Sequence, residues 1–407
     1  MKTLIGPFAQ ALPMDNLPLK GALDDAQLGI VEQAGVLTEN GRILQTGTFE
    51  ELKAGADKIE EIDSPMVLLP GFLDAHTHIC FAGSRSQDYA MRVAGKPYLE
   101  IAKAGGGIQS TVDKTRCASL EELAAGVSDR ALRHLLHGVT TAEVKSGYGL
   151  SLEDELKMLR AVRLAGSRSG LDLVPTCLAA HTRPKDFKGN NSVYLDFVVR
   201  KILPKVKSEN LAGRVDIFTE ETAFTVEESR KYLLKARELG FRLTVHGDQF
   251  TAGGSTLAAE IGADSVDHLE NSGEEEIVRL ADSDTVAVAL PGASLGLGMD
   301  YAPARRLLDA GACVAIASDW NPGSAPMGHL LLQASVLGAA QKLSAAETLA
   351  GLTYRAAFAL RLDDRGVLAS GKLADMQAYP CSDFREILYQ QGMLLPERVW
   401  KRGFRVK

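Results

Sequence analysis

Residues 72–79 read Phe-Leu-Asp-Ala-His-Thr-His-Ile, an apolar run that ends in two histidines separated by one residue. Alternate side chains of a β-strand point to the same side, so His76 and His78 share a side if this run is a strand. Two imidazoles at that spacing can bind one metal ion. The pair alone is weak evidence, and its meaning depends on the rest of the chain.

Seven further runs rich in Val, Ile, Leu, Ala and Thr follow this stretch, at 140–146, 173–181, 214–220, 242–248, 265–269, 285–292 and 314–319. Nearly continuous apolar runs are typical of parallel strands that are buried on both faces. Helix-period segments separate many of them, and three begin with a capping box: Ser119 with Glu122, Thr225 with Glu228, and Ser344 with Glu347.

Eight strands that alternate with helices predict an α/β fold, a (β/α)8 TIM-like barrel, over residues 69–365. An open doubly wound sheet is the alternative, but no GxGxxG fingerprint follows a first strand.

Both chain ends, 1–68 and 366–407, carry short strand-like pieces among Gly, Asn and Asp, such as 28–32, 41–47 and 399–406. We predict that the two ends together build one small β-sandwich domain. Two unrelated irregular ends are the alternative, and the alternation in 399–406 favours the sandwich.

The composition excludes several classes of protein. The net charge is -7 and no basic run occurs, which argues against nucleic-acid binding. No apolar run reaches the ~18 residues that span a membrane, and the N-terminus is a poor signal peptide. The five cysteines form no CxxC pair and are odd in number, so reduced thiols in the cytoplasm are the simplest interpretation.

The C-terminal ends of all the strands in such a barrel meet at one face, where active sites lie. That topology brings His76, His78, His246 and Asp319 together, and we predict that they bind one Zn²⁺ or Fe ion with an open position for water. Such an ion lowers the pKa of a bound water from 15.7 toward about 7 and polarises a carbonyl. His181 and His268 end other strands at the same face. His134 and His137 are expected at a helix end or on the surface, and His329 is expected to be structural.

The order of several motifs resembles the amidohydrolase family and, within it, the imidazolonepropionases. The resemblance covers about residues 66–375, and its motifs are 70–78, 81–92, 104–116, 140–160, 246–250, 263–271 and 318–324. Ser-Gly-Tyr-Gly-Leu at 146–150 and Asn-Pro-Gly-Ser at 321–324 are the most specific. The resemblance implies a metal-bearing barrel with a small β domain. It also implies hydrolysis of 4-imidazolone-5-propanoate to N-formimidoyl-L-glutamate, a step of histidine degradation.

The resemblance also assigns roles. It implies that the substrate is bound by Arg85, Tyr148, His181 and Gln249, and the product-like end by Asn321, Gly323 and Ser324. A guanidinium matches a carboxylate tail bidentately, which agrees with Arg85. For proton transfer we name Asp319 and His268, and the sequence does not separate which is the main shuttle. His268 is also expected near the attacking water or the developing oxyanion, which it would stabilise. An amide cannot act as a base, so Gln249 is given only a hydrogen-bonding role.

Glu220 ends the fourth strand, where binuclear relatives place a carbamylated lysine that bridges two metal ions. Because glutamate cannot form that carbamate, a single ion is expected. Lys145 lies on the second strand and is interpreted as structural or as supporting the ligands.

Three questions stay open at this point. A related deaminase or another cyclic-amide hydrolase is the first alternative function, and a barrel that lost catalysis is the second. The sequence does not separate Zn²⁺ from Fe. A homodimer is compatible with the sequence, but the sequence does not indicate an interface.

Overall fold

The computed structural model describes residues 1–96, 100 and 103–407. Its strands are β1 (Thr3–Ala11), β2 (Val31–Glu39), β3 (Arg42–Thr48), β4 (Lys58–Glu61), β5 (Val67–Pro70), β6 (Phe72–Asp74), β7 (Val139–Lys145), β8 (Asp172–Ala180), β9 (Arg214–Thr219), β10 (Arg242–Gly247), β11 (Ser265–His268), β12 (Val286–Ala289), β13 (Val314–Ile316), β14 (Met376–Tyr379), β15 (Arg398–Lys401) and β16 (Phe404–Arg405).

The helices are α1 (Phe49–Lys53), α2 (Ser86–Val93), α3 (Ile108–Cys117), α4 (Leu120–Leu136), α5 (Leu152–Gly166), α6 (Asn191–Phe197), α7 (Leu203–Ser208), α8 (Val226–Glu238), α9 (Gly254–Glu260), α10 (Glu274–Ala281), α11 (Pro291–Leu297), α12 (Ala304–Asp309), α13 (Leu330–Gln341), α14 (Ala345–Leu352), α15 (Tyr354–Ala359) and α16 (Arg385–Tyr389). Within the described ranges, no helix is long and apolar enough to cross a membrane.

The predicted barrel is confirmed. Strands β6 to β13 pair in parallel in chain order, and every apolar run identified in the sequence overlaps one of them. The cylinder closes just beyond β6 and β13, where the amide of His78 donates to the carbonyl of Trp320 at 3.0 Å and Thr77 forms a parallel bridge with Trp320. Closure brings the first and last strands of the barrel together, which their sequence separation alone does not require.

The predicted helix starts are also confirmed. Ser119, Thr225 and Ser344 each accept a hydrogen bond from the amide three residues later, and the glutamate at that position bonds back to the cap. Each reciprocal pair satisfies two amides that would otherwise lack partners, which fixes where α4, α8 and α14 begin. Their apolar faces then pack on the barrel strands.

The chain ends form the small β domain, as one connected sheet in the order β16-β15-β14-β5-β1-β2-β3, with β4 beside β1. Its buried face carries Phe8 and Trp400, whose rings meet edge to face at 6.0 Å. Both chain ends are therefore needed to build this sheet, since β14 from the C-terminal part pairs with β5 from the N-terminal part.

The expectation that His134 lies on the surface is wrong. It does lie in the last turn of α4, but its side chain is fully buried, with Nε2 3.2 Å from Oδ2 of Asp74 and its ring against Trp320. The face of α4 that bears His134 packs onto the first barrel strand, where Asp74 offers a polar partner. His137 is half-buried beside His329, with ring centroids 4.8 Å apart.

Candidate active site

Three imidazoles converge at the C-terminal end of the barrel. Nε2 of His78 lies 3.1 Å from Nε2 of His76 and 3.2 Å from Nε2 of His246. All three side chains are buried, and burial is the main cause that lowers the pKa of each ring below its ordinary value. The rings are therefore neutral near pH 7, which is the form that binds metal ions.

Two buried carboxylates decide which nitrogen of His76 and of His246 faces the centre of the site. Oδ2 of Asp267 lies 2.7 Å from Nδ1 of His76, and Oδ2 of Asp216 lies 2.8 Å from Nδ1 of His246. A carboxylate holds the proton on Nδ1, so the lone pair of Nε2 points into the site. This arrangement is the usual support for a metal-bound histidine.

Asp319 completes the group from the end of β13. Its Oδ1 lies 3.5 Å from Nε2 of both His76 and His78, and burial raises its pKa to about 6. Its backbone is in the left-handed region, with φ 49°, as is that of His268 with φ 90°. Non-glycine residues are held in that region at a cost of about 1–3 kcal/mol, and such residues cluster at functional sites.

The donor set fits a metal ion. Tetrahedral Zn²⁺ with Zn–N distances of about 2.0–2.1 Å places its nitrogens about 3.3 Å apart. The observed separations of 3.1 and 3.2 Å are close to that value. Without a cation, lone pairs at this spacing repel one another beside a buried carboxylate. The residues present therefore suit one borderline cation such as Zn²⁺ or Fe.

A second group of possible metal ligands shares His246 with the first and adds the carboxylates of Asp216 and Asp267. The ammonium of Lys145 already lies there, 2.8 Å from Oδ2 of Asp216 and 3.5 Å from Oδ2 of Asp267. A side-chain cation thus occupies the position where these carboxylates converge. Within the described residues, this second group is satisfied by the protein itself.

A cavity of about 650 Å³ opens above the imidazoles. All the predicted site residues except the deeply buried His76 line it: His78, Arg85, Tyr148, His181, His246, Gln249, His268, Asp319, Asn321, Gly323 and Ser324. Phe218, Phe250, Ile108 and Leu297 add apolar walls. The cavity suits a small ring with a charged tail.

Arg85 lies at the start of α2, with its side chain mostly buried. Its Nε donates to Oδ2 of Asp88 at 2.8 Å, which orients the guanidinium. A Cβ at Gly323 would lie 2.3 Å from Nη1 of Arg85, so glycine leaves the space that the guanidinium occupies. Arg92, from the last turn of α2, also lines the cavity and makes this wall more basic.

Tyr148 and His181 form the neighbouring wall. Nδ1 of His181 lies 3.0 Å from the carbonyl of Gly147 and donates to it, since a carbonyl oxygen only accepts. Burial lowers the pKa of His181 to about 3, so the ring is neutral and carries its one proton on Nδ1. Its Nε2 is then an acceptor. Burial also raises the pKa of Tyr148, so its hydroxyl stays protonated. The wall thus offers one neutral donor and one neutral acceptor.

The Asn321–Ser324 turn is held by its own side chain. Oδ1 of Asn321 accepts from the amides of Gly323 and Ser324 at 2.7 and 2.8 Å, and its Nδ2 donates to the carbonyl of Asp319 at 2.7 Å. These two amides therefore already have an acceptor within the turn. The hydroxyl of Ser324 lies 3.3 Å from Oδ2 of Asp319.

The carboxylate of Glu220 supports the loop that contains Gln249. It accepts from the amides of Phe250 and Thr251 at 2.9 and 3.1 Å. Gln249 is placed on the cavity wall, and its carbonyl accepts from Asn271. The end of β9 therefore serves as a loop anchor rather than as a metal ligand.

His268 lines the same cavity and pairs with Glu270 at 3.4 Å. Burial alone would lower the pKa of His268, but the Glu270 carboxylate, together with Asp319 and Asp267, outweighs burial and raises it. Glu270 is in turn held by a hydrogen bond of 3.1 Å from the hydroxyl of Ser294. The pairing favours a positively charged ring where negative charge would develop.

Sequence reasoning missed Asp216, Asp267, Glu270 and Glu155 as parts of the site. A signal existed for the first two, because each is a carboxylate inside a strand-like run, at 214–220 and 265–269. A charged residue at such a place needs a buried partner. The sequence does not show which partner each of these carboxylates finds.

The chain resembles known proteins along most of its length. It is 44% identical over 375 residues to the imidazolonepropionase of Myxococcus xanthus, covering 91% of this chain and 89% of that one. It is 43% identical over 383 residues to that of Deinococcus deserti, covering 93% of this chain and 94% of that one.

Solved structures share the fold. A mutant atrazine chlorohydrolase of Arthrobacter aurescens, complexed with zinc and atraton, aligns with a TM-score of 0.71 at 18% identity over 99% of this chain and 95% of that one. An adenosine deaminase of Xanthomonas campestris with bound zinc aligns with a TM-score of 0.69 at 17% identity over 99% and 92%. The profile of the amidohydrolase family matches residues 67–388, and the chain belongs to that family.

Proposed function

We propose that this protein hydrolyses a ring carbon–nitrogen bond of 4-imidazolone-5-propanoate and releases N-formimidoyl-L-glutamate. The observation that carries the proposal is the convergence of three imidazole nitrogens and Asp319 on the floor of a cavity whose wall bears Arg85. The similarity to imidazolonepropionases over nine tenths of the chain supports this substrate.

The proposed ligands of the single Zn²⁺ or Fe ion are His76, His78, His246 and Asp319. When bound, the ion supplies Lewis acidity to the ring carbonyl and acidifies water. Asp267 and Asp216 orient two of the imidazoles. The metal's identity and its one-per-chain stoichiometry belong to the proposal.

Asp319 and His268 are proposed to carry the proton and charge changes. As water adds to the ring carbonyl carbon, Asp319 takes a proton from the water and delivers it to the ring nitrogen when the carbon–nitrogen bond breaks. His268, whose pKa Glu270 raises against the effect of burial, stabilises the negative charge that builds on the carbonyl oxygen. The new carboxyl group and the protonated nitrogen account for all the atoms of the added water.

The remaining residues are proposed to position the substrate. Arg85 binds the propionate tail through its Nη atoms, because its Nε is already held by Asp88. Tyr148 donates and His181 accepts at the ring, and Gln249 contributes a neutral hydrogen bond. Asn321, Gly323 and Ser324 shape the wall beside Arg85, and the Ser324 hydroxyl donates to Oδ2 of Asp319 at 3.3 Å.

The test is direct. Purified protein is analysed for bound metal and offered freshly generated imidazolone propionate, with His76→Ala as the control. We expect about one ion per chain and loss of the ring absorbance with the wild-type protein only. A metal-loaded protein that leaves this substrate intact but releases ammonia from a purine or pyrimidine would favour the deaminase reading. A metal-free protein would favour an inactive scaffold.

We further propose a cytoplasmic location and a homodimer. All five cysteines are unpaired, three of them buried, as expected in a reducing compartment. Light scattering of the purified protein at several concentrations tests the homodimer, and a mass equal to one chain throughout would contradict it.

A further inference from the structure

Lys145 is fully buried beneath the imidazoles and takes no part in the proposed reaction. Its ammonium lies 2.8 Å from a carboxylate oxygen of Glu143, 2.8 Å from Oδ2 of Asp216 and 3.5 Å from Oδ2 of Asp267. All three carboxylates are inaccessible to solvent. Buried charges of one sign persist only when an opposite charge compensates them.

The oxygens that Lys145 contacts are the same atoms that hold the metal-binding histidines. Oδ2 of Asp216 also contacts Nδ1 of His246 at 2.8 Å, and Oδ2 of Asp267 also contacts Nδ1 of His76 at 2.7 Å. The Lys145 ammonium therefore contacts two carboxylates, and each carboxylate contacts one imidazole. These two chains of contacts start from one nitrogen on β7 and end at two different strands, β10 and the end of β6.

We propose that Lys145 is a positioning residue that bridges Asp216 and Asp267 and thereby fixes two imidazoles for metal binding. The inference rests on the proposed metal centre and assigns to this centre a supporting cation from the protein. Without the ammonium, three buried carboxylates would repel one another and turn apart, and each imidazole would lose its fixed acceptor. Ser265, Thr244 and backbone amides also hold these carboxylates, but none of these groups contacts both.

Two physical effects of opposite sign make the proposal testable. If Lys145 acted only as a nearby positive charge, its removal would strengthen metal binding, because like charges repel. If it positions the carboxylates, its removal weakens binding. Loss of such outer partners typically costs about 10–100-fold in metal affinity.

The experiment measures the Kd for Zn²⁺ by competition with a chelator, together with the visible spectrum of the cobalt(II)-substituted protein. For Lys145→Met, we expect a Kd about 10–100-fold higher and altered cobalt bands. The matched control is Lys401→Met, which removes another buried lysine that is paired with Asp375 and Asp172, far from the imidazoles. It should lower Tm and leave the Kd and the cobalt bands unchanged.

A second variant keeps the test decisive if Lys145→Met does not fold. The double variant Glu143→Gln with Lys145→Met removes one charge of each sign, so the net buried charge is that of the wild type. It should still bind Zn²⁺ weakly, because the bridge is gone. A wild-type Kd in the double variant, or equal or tighter binding by Lys145→Met, would overturn the bridge. Wild-type protein that binds no metal would instead refute the metal centre itself.

Discussion

At the scale of single residues, the proposed recognition of an anionic tail depends on Arg85. Asp88 holds one edge of its guanidinium, and Gly323 leaves room for the other. The guanidinium is thus oriented before substrate arrives, and little side-chain entropy is lost on binding. The same cavity is also lined by His268, the proposed oxyanion partner.

Arg85→Met should lower kcat/KM for imidazolone propionate by about 10–100-fold, mostly through KM. The reason is that a hydrogen bond to a charged group is worth about 1.5–3 kcal/mol, or roughly one to two powers of ten. Steady-state kinetics measures the effect. Arg168→Met, which changes an exposed arginine paired with Glu121, is the control and should behave as wild type. A change below twofold in Arg85→Met would refute the assigned role.

At the scale of elements, the loop after β7 is held by the helix that follows it. Oε1 of Glu155, on α5, accepts from the amides of Gly147, Gly149 and Leu150 at 3.2, 2.9 and 2.8 Å. Gly147 has φ 107°, and a Cβ there would lie 2.9 Å from the carbonyl of Leu178. This geometry places Tyr148 on the cavity wall.

Glu155→Ala should detach this loop and raise KM about tenfold or more, because it leaves three buried amides without acceptors at about 1–3 kcal/mol each. Glu155→Gln keeps an acceptor oxygen and should retain most of the activity. Hydrogen exchange at residues 147–150 reports the loop directly. Unchanged exchange protection in the alanine variant would show that the loop does not depend on Glu155.

At the scale of the whole molecule, Asp172 links the barrel to the C-terminal segments. Its carboxylate contacts Arg365 at 2.6 Å, Lys401 at 2.8 Å and Arg402 at 3.1 Å. Burial alone would raise its pKa, but Lys401 and Arg365 outweigh burial and lower the pKa below its ordinary value of 3.8. A carboxyl whose pKa is lower in the folded state stabilises the fold above the unfolded pKa and stops doing so as the pH falls through the folded pKa.

Asp172→Asn should therefore lower the free energy of unfolding at pH 7 by about 1–3 kcal/mol. The difference from wild type should be constant between pH 8 and pH 5 and should shrink only below about 3.8. Urea unfolding at several pH values measures it. Shrinkage already at pH 6 would assign the stabilisation to another group.

The amino-acid sequence determined the period and order of the elements. Apolar runs predicted the eight barrel strands, and the capping boxes at Ser119, Thr225 and Ser344 predicted three helix starts. Both kinds of signal involve only residues that are close together in the sequence. The barrel topology then predicted that the histidines and Asp319 meet at one face. That inference needed only the direction of the strands, not the positions of the side chains.

Only the tertiary structure decided which charged groups find one another. Lys145, Asp216 and Asp267 come from three separate strands, and Glu155 bonds to backbone amides of a preceding loop. Likewise, the burial of His134 followed from the face of α4 that packs on Asp74. Such pairings are set by distances of a few ångströms between elements far apart in the chain, and a one-dimensional pattern carries no such distances.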